Sequence, residues 1–84
     1  MSKTAIITGG NKGIGLAVAK DLISKNYKVI IGCRDTVKGK MAEDYLGNNA
    51  HFLELDLSKP VSVLQFVKQI NNNFSEIDVL YNLS

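Results

Sequence analysis

A glycine-rich segment near the start of the chain has the composition of a phosphate-binding turn. It reads Thr8-Gly9-Gly10-Asn11-Lys12-Gly13-Ile14-Gly15. The pair Gly9-Gly10 permits a tight turn, and Gly13 lets the backbone approach a pyrophosphate. Gly15 lets a following helix pack closely against a strand. The unpaired N–H groups and positive dipole of a helix that starts here would point at the phosphates.

The residues after the turn exclude one class of nucleotide site. A P-loop has Lys followed by Ser or Thr directly after its last glycine, and these residues hold a γ-phosphate and Mg²⁺. Here Gly15 is followed by Leu16-Ala17. The segment therefore predicts binding of a dinucleotide. A glycine turn used only for tight packing remains the alternative.

The cofactor preference depends on the residue that meets the ribose, expected about 20 residues further on, after the second strand. An acidic side chain there accepts from the 2′-hydroxyl and favours NAD(H), but this chain reads Cys33-Arg34-Asp35. Arg34 can form a bidentate pair with a 2′-phosphate, and Lys12 can reach the same group. The pattern predicts NADP(H) over NAD(H). The alternative for Arg34 is a surface pair with Asp35.

Other reactive side chains give weaker indications. Because Cys33 is the one cysteine of the sequence, an internal disulfide and a multi-cysteine metal site are excluded. Neighbouring cations could lower the pKa of Cys33 and make it redox-sensitive, or it could be a small buried filler. His51 has no second His or Cys nearby, so no metal site is expected. Lys38 and Lys40 are interpreted as a solvated helix face, with a place near the 2′-phosphate as the alternative.

Alternating elements must position these residues. Short apolar runs predict buried strands, and segments of helical period between them predict helices. Asp35 and Ser58 are the predicted caps of the second and third helices, with Pro60 tolerated in a first turn. The strands are predicted at Thr4–Thr8, Lys28–Gly32, His51–Leu55 and Ile77–Tyr81, and the helices begin at Gly13, Asp35 and Ser58. The predicted inward faces are Ile14, Ala17, Val18 and Leu22 in the first helix and Val63, Phe66, Val67, Ile70 and Phe74 in the third.

This alternation predicts an α/β fold with a parallel sheet. Right-handed crossovers and a reversal after the third strand give the strand order 3-2-1-4, with helices on both faces. That is the first half of a three-layer Rossmann-type fold. We expect residues 1–84 to form a single, incomplete dinucleotide-binding domain.

Composition limits the partners. The net charge is +2, and the 10 Lys and Arg residues are scattered along the chain. Neither nucleic acid nor an anionic membrane surface is therefore an expected partner. The first apolar run is too short for a signal peptide or a membrane span, which leads us to expect a soluble, cytoplasmic protein.

Three motifs together resemble the short-chain dehydrogenase/reductase family. Thr8-Gly9-x-x-x-Gly13-Ile14-Gly15 is similar to its cofactor motif, and Asp56-Leu57-Ser58 is similar to its adenine-contacting segment. Asp78-Val79-Leu80-Tyr81-Asn82 resembles the strand that leads into its Asn-Asn-Ala-Gly motif. Together with Cys33-Arg34-Asp35, the residues of the glycine-rich segment are most similar to those of the family's NADPH-dependent carbonyl reductase branch. The resemblance implies as cofactor-binding residues Gly9, Asn11, Lys12, Gly13, Ile14, Gly15, Arg34, Asp56, Leu57 and Asn82.

Within that resemblance each residue has an implied role. The glycines and Ile14 contact the pyrophosphate side, Asp56 receives the adenine amino group, and Leu57 packs near the base. Asn82 matches the first Asn of the Asn-Asn-Ala-Gly motif, although Leu83-Ser84 departs from it. The family's catalytic Ser and Tyr-x-x-x-Lys pair have no positions in this sequence, so no catalytic residue is expected here.

Three hypotheses for the whole molecule follow. The first is the cofactor-binding part of an oxidoreductase that reduces a small carbonyl substrate by hydride transfer in a longer parent protein. The second is a catalytically inactive nucleotide-binding or regulatory module. The third is a structural fragment that self-associates through the exposed edge of its fourth strand, as unpaired strand edges tend to do.

Overall fold

The chain folds by strict alternation of strands and helices in the computed structural model, which describes residues 3–9, 13–74 and 76–83. Asn11 and Lys12, two of the predicted cofactor ligands, lie outside the described residues. The elements are β1 (Lys3–Thr8), α1 (Gly13–Ser24), β2 (Tyr27–Cys33), α2 (Thr36–Leu46), β3 (Ala50–Glu54), α3 (Pro60–Asn73) and β4 (Val79–Asn82). The predicted elements are confirmed, with boundaries shifted by one or two residues.

The four strands form one parallel sheet of order β3-β2-β1-β4. The predicted order 3-2-1-4 is therefore confirmed. In the register of the central pair, Lys3 lies opposite Tyr27 and Thr8 opposite Gly32. Because all strands run the same way, their carboxyl ends meet at one edge of the sheet. Strands β2 and β3 are added on one side of β1, whereas β4 is added on its other side. Folds of this kind bind ligands at the point where the strand order reverses in this way.

Apolar residues on both faces of the sheet explain the nearly continuous hydrophobic strands. Neighbouring residues of a strand point to opposite faces, so Ile7 and Ile31 pack under α1 and α2, whereas Ile6 and Ile30 pack under α3. The cluster under α3 is completed by Leu55, Phe66 and Ile70. Helices cover both faces, as a parallel sheet requires.

The inward face of α1 differs from the predicted one. Gly15, Ala19 and Leu22 are buried, whereas Ile14 is 76% exposed and Ala17 is also exposed. Small residues at the contact let the helix backbone approach the sheet. Of the four predicted residues, Leu22 is therefore buried as expected and Val18 packs against the same cluster, whereas the prediction is wrong for Ile14 and Ala17.

Helix α2 begins at the predicted cap. The carboxylate of Asp35 accepts a hydrogen bond from the Lys38 amide at 3.0 Å, which makes Asp35 the N-cap. The helix stops at Gly47, whose φ of 94° favours glycine. Inside the helix, Gly39 is required by packing, because a Cβ there would overlap the ring of Phe52.

The prediction for α3 needs two corrections. Ser58 is not its cap: Lys59 occupies that position without a side-chain hydrogen bond, and Pro60 opens the helix. The Ser58 hydroxyl instead bonds to Asp56. On the inward face Phe66 and Ile70 are buried as predicted, but Val67 is 47% exposed. It lies at the rim of a groove between α3 and β4.

Candidate dinucleotide-binding groove

A groove of about 480 Å³ opens at the carboxyl ends of β1, β2 and β3. Its walls include four of the predicted cofactor residues, namely Gly9, Arg34, Asp56 and Leu57. The strand ends are held together up to the rim, because the Gly9 amide donates to the Gly32 carbonyl at 2.8 Å and the Leu55 amide donates to the Cys33 carbonyl at 2.9 Å. The sheet thus presents three consecutive loops to one cavity.

Glycines stand at the two described ends of the segment that joins β1 to α1. Gly9 and Gly13 have positive φ angles of 77° and 55°, which L side chains rarely adopt. Among the described residues, and apart from its chain neighbours and its own helical turn, a Cβ placed on Gly13 would meet no atom within 4 Å. The first turn of α1 has no acidic residue, so nothing there opposes an anion at the positive end of the helix dipole. These features fit a pyrophosphate approaching the first turn of α1.

Arg34 directly follows β2, is exposed and lines the groove. The next residue, Asp35, also lines the groove, but its carboxylate is engaged by the backbone of α2 as the N-cap. Within residues 3–9, 13–74 and 76–83 no salt bridge joins Arg34 to Asp35; the ion pair found there is Lys25–Asp21 at 3.1 Å. Arg34 thus lines the groove as an exposed cation, while the carboxylate of the adjacent Asp35 accepts the capping hydrogen bond of α2.

Asp56 lies between the end of β3 and the start of α3, where Ser58 fixes its carboxylate. The Ser58 amide donates to Oδ1 at 3.0 Å and the Ser58 hydroxyl donates to the same atom at 2.6 Å. These hydrogen bonds are the main reason that the pKa of Asp56 is lowered, and the positive charges of Lys59 and Arg34 act in the same direction. Leu57, 57% exposed, stands beside this carboxylate on the groove wall.

Asn82 lies one strand away from the groove. The Thr8 hydroxyl donates to Asn82 Oδ1 at 2.6 Å, and the Leu83 amide donates to the Thr8 carbonyl at 3.0 Å. Asn82 thus ties the end of β4 to the residue before the glycine-rich turn. It lines the neighbouring apolar groove of about 380 Å³ rather than the larger one.

The structure adds two residues to the predicted set. Lys38 lines the large groove whereas Lys40 is not part of its wall. Lys38 lies one turn into the helix that Asp35 caps, and this spacing could have predicted that it lies near the groove. Ser58 also lines the groove. A serine before a helix is typical of an N-cap, so the sequence predicted that role and not the hydrogen bond to Asp56.

The reactive interpretation of Cys33 is wrong. Its side chain is buried, and burial raises the pKa of the thiol above its ordinary value. The negative charge of Asp35 adds to this effect, and a hydrogen-bonding contribution from the Asp35 backbone acts in the opposite direction. Cys33 therefore acts as a small core residue at the end of β2.

The described part of the chain offers neither a metal site nor a membrane-spanning helix. No group of three or more His, Cys, Asp or Glu side chains there could hold a metal ion. The ring of His51 instead packs edge-on against Phe74, with 5.5 Å between ring centroids. No helix in the same residues combines the length and hydropathy needed to cross a bilayer.

Comparison with known proteins identifies the family. The family model described as short chain dehydrogenase matches residues 3–83. The chain belongs to the short-chain dehydrogenase family. Salutaridine reductase of Papaver somniferum is 36% identical over 85 residues, covering 95% of this chain and 27% of that protein.

Solved structures of this family share the fold. Menthone neomenthol reductase from Mentha piperita superposes with a TM-score of 0.90 at 33% identity, over 100% of this chain and 32% of that one. A 3-ketoacyl-(acyl-carrier-protein) reductase from Brucella melitensis, solved in complex with NADH, has a TM-score of 0.85 at 31% identity, over 93% of this chain and 32% of that one. This short-chain dehydrogenase sequence therefore spans about a third of the length of these two relatives.

Proposed function

We propose that this chain binds the adenosine-phosphate half of NADP(H) in the groove at the ends of β1, β2 and β3. It would act there as the cofactor-binding part of an oxidoreductase that reduces a small carbonyl compound. The bound cofactor would supply the hydride, while the residues of this chain would bind and orient it. Membership of the short-chain dehydrogenase family supports the reaction class.

One observation carries the preference for NADP(H): Arg34 lines the groove as an exposed cation, whereas the carboxylate of the neighbouring Asp35 caps α2. An acid beside the ribose would repel a 2′-phosphate, but the Asp35 carboxylate is held by the amide of Lys38. The exposed Arg34 and Lys38 both line the groove, so two cations face the region where a 2′-phosphate would lie. A guanidinium pairs with phosphate through two parallel hydrogen bonds.

The other residues keep the roles that the family resemblance implies. We assign Arg34 and Lys12 to the 2′-phosphate, Asp56 to the adenine amino group and Leu57 to the face of the base. The positive φ of Gly13, and the lack of a described atom within 4 Å of a Cβ placed there, support an assignment of Gly13 to the pyrophosphate. Its neighbours in the same assignment are Gly9, Ile14 and Gly15. Asn11 is assigned to the cofactor site without a specific role, and Asn82 braces the end of β4.

Nucleotide fragments test this proposal at the groove itself. Adenosine 2′,5′-bisphosphate and 5′-AMP are titrated separately into the ¹⁵N-labelled chain, with amide shifts recorded by NMR. We expect saturable shifts at Gly9, Arg34 and Asp56, with tighter binding of the bisphosphate. Shifts confined to residues outside the groove, or equal affinities for both fragments, would contradict the proposal.

The reaction is assigned to a longer parent protein, because no residue of this sequence matches the family's catalytic Tyr-x-x-x-Lys pair. We therefore expect the 84 residues to bind NADPH without oxidising it in the presence of ketones or aldehydes. Absorbance at 340 nm measures this directly. Turnover above the rate without protein would contradict this division between binding and chemistry, whereas binding without turnover also fits an inactive nucleotide-binding module.

We also propose self-association through β4. This strand pairs with β1 alone among the described strands, and Leu80 is 63% exposed. The adjoining apolar groove is lined by Val63 and Val67 of α3 and adds to this surface. Sedimentation equilibrium of the chain and of Leu80→Lys tests the proposal: we expect association that the charge weakens, and a monomer at all concentrations would contradict it. The cytoplasmic location stays a prediction for cell fractionation.

A further inference from the structure

The segment between β3 and α3 holds Asp56 from two sides. The Ser58 amide and hydroxyl both donate to its Oδ1, at 3.0 Å and 2.6 Å. The Asp56 amide donates to the hydroxyl of Ser62, in the first turn of α3, at 2.9 Å. One serine therefore fixes the carboxylate and the other fixes the backbone that carries it.

These contacts make the two carboxylate oxygens unequal. Both donors from Ser58 converge on Oδ1, and within residues 3–9, 13–74 and 76–83 no hydrogen bond goes to Oδ2. An ionised carboxylate accepts through both oxygens. Asp56 lines the groove, and Oδ2 is the oxygen left to accept from a ligand there, so its side chain loses little further freedom when a donor arrives.

We propose that Ser58 is a positioning residue that holds the Asp56 carboxylate for the exocyclic amine of adenine and thereby sets the preference for adenine over a 6-oxopurine. The inference rests on the proposed function, because it needs the nucleotide base in this groove. Ser62 supports the same geometry through the Asp56 backbone.

The chemistry of the base explains why orientation matters. Adenine presents a donor at its 6-position, whereas hypoxanthine presents a carbonyl oxygen at the same place. A carboxylate gains a hydrogen bond from the first and faces a second acceptor with the other. Hydrogen bonds to charged groups are strong enough for a preference on the order of tenfold at a partly solvated site. A carboxylate free to rotate would lose part of that preference.

A purely local role for Ser58 predicts something different. If its bonds to Asp56 only stabilise the turn before α3, removing the hydroxyl changes folding or weakens both nucleotides equally. The ratio of the two affinities then stays the same. That ratio, rather than either affinity, separates positioning from local stabilisation.

The experiment measures by calorimetry the affinities of the intact chain for NADP⁺ and for its deaminated analogue, nicotinamide hypoxanthine dinucleotide phosphate. Ser58→Ala removes the hydroxyl bond but keeps the amide bond, and Ser58→Thr restores a hydroxyl. Ser24→Ala is the matched control, because the Ser24 hydroxyl also makes a 2.6 Å bond, to the Asp21 carbonyl on the exposed side of α1. Thermal melting establishes that each variant is folded.

We expect Ser58→Ala to reduce the adenine preference by about threefold or more. The preference should persist in Ser58→Thr and Ser24→Ala, and Ser58→Ala should have no further effect when combined with Asp56→Ala. An unchanged ratio in Ser58→Ala that still binds NADP⁺ would overturn this inference and leave the proposed function standing. Failure of the folded wild-type chain to bind either nucleotide would overturn both.

Discussion

Replacing Gly13 by Ala separates the structural cost of the glycine-rich turn from its function. Gly13 has a φ of 55°, and a side chain in this left-handed region costs about 1–2 kcal/mol. A Cβ there would meet no atom of the other described residues within 4 Å, so those residues add no steric cost. We therefore expect the free energy of unfolding to fall by about 1–2 kcal/mol, and NADP⁺ binding to fall further because the methyl group occupies the pyrophosphate's approach.

A second glycine provides the matched control. Gly47, at the end of α2, has a φ of 94°, and a Cβ there would meet no described atom beyond its chain neighbours within 4 Å. Gly47 is not part of the groove wall. Gly47→Ala should therefore lose stability by about 1–3 kcal/mol without losing affinity for NADP⁺ once the folded fraction is taken into account.

Urea unfolding gives the stabilities, and calorimetry on the folded fraction gives the affinities. A cost of 1 kcal/mol would lower the melting temperature of a domain of this size by about 4–8 °C, so both variants are measured well below their transitions. Gly13→Ala binding NADP⁺ as tightly as wild type would refute the close approach of the pyrophosphate. Equal losses of affinity in both variants would refute a specific role for the turn.

The remaining predictions concern packing and pH. Gly39→Ala should destabilise the fold by about 1–3 kcal/mol in urea unfolding, because its Cβ would overlap the Phe52 ring. Adding Phe52→Leu to Gly39→Ala should recover part of this loss. Additive losses of stability from the two substitutions would contradict this contact. Phe66→Ala should cost about 3–5 kcal/mol, since Phe66 is buried in the cluster under α3, and a loss below 1 kcal/mol would contradict that packing. The pKa of Asp56 is lowered chiefly by Ser58, with smaller contributions from Lys59 and Arg34. The ionised Asp56 carboxylate therefore stabilises the fold above the ordinary carboxyl pKa, and this stabilisation is lost as pH falls through the lower pKa of the folded state. In a ¹³C NMR titration, Ser58→Ala should raise the pKa of Asp56. An unchanged pKa would contradict Ser58 as the main cause of the shift.

Local chemistry made much of the fold predictable from the sequence. The β-branched runs that centre on Ile6-Ile7 and Ile30-Ile31 indicate strands buried on both faces, and the sheet confirms this. Asp35 was identified as a cap because a short acidic side chain preceding a helix can accept from its first free amides, and it does. The strand order followed from the handedness of crossovers rather than from any single residue.

Contacts between distant segments account for what the sequence did not predict. The inward face of α1 depends on how closely its backbone approaches the sheet, which the small side chains of Gly15 and Ala19 permit. The need for glycine at position 39 depends on Phe52 of another element. Ser58 had two possible partners, the amides of α3 and the Asp56 carboxylate, and local sequence pattern does not choose between them.

The central claim is that Arg34 selects NADP(H), and calorimetric titration of the chain with NADP⁺ and with NAD⁺ tests it most directly. The control for Arg34→Ala is Lys40→Ala. Lys40 is a cation within α2 that does not line the groove. We expect wild type and Lys40→Ala to prefer NADP⁺, and Arg34→Ala to lose about tenfold or more in NADP⁺ affinity with little change for NAD⁺. Equal affinity of the wild-type chain for both nucleotides, or an undiminished NADP⁺ preference in Arg34→Ala, would contradict the account.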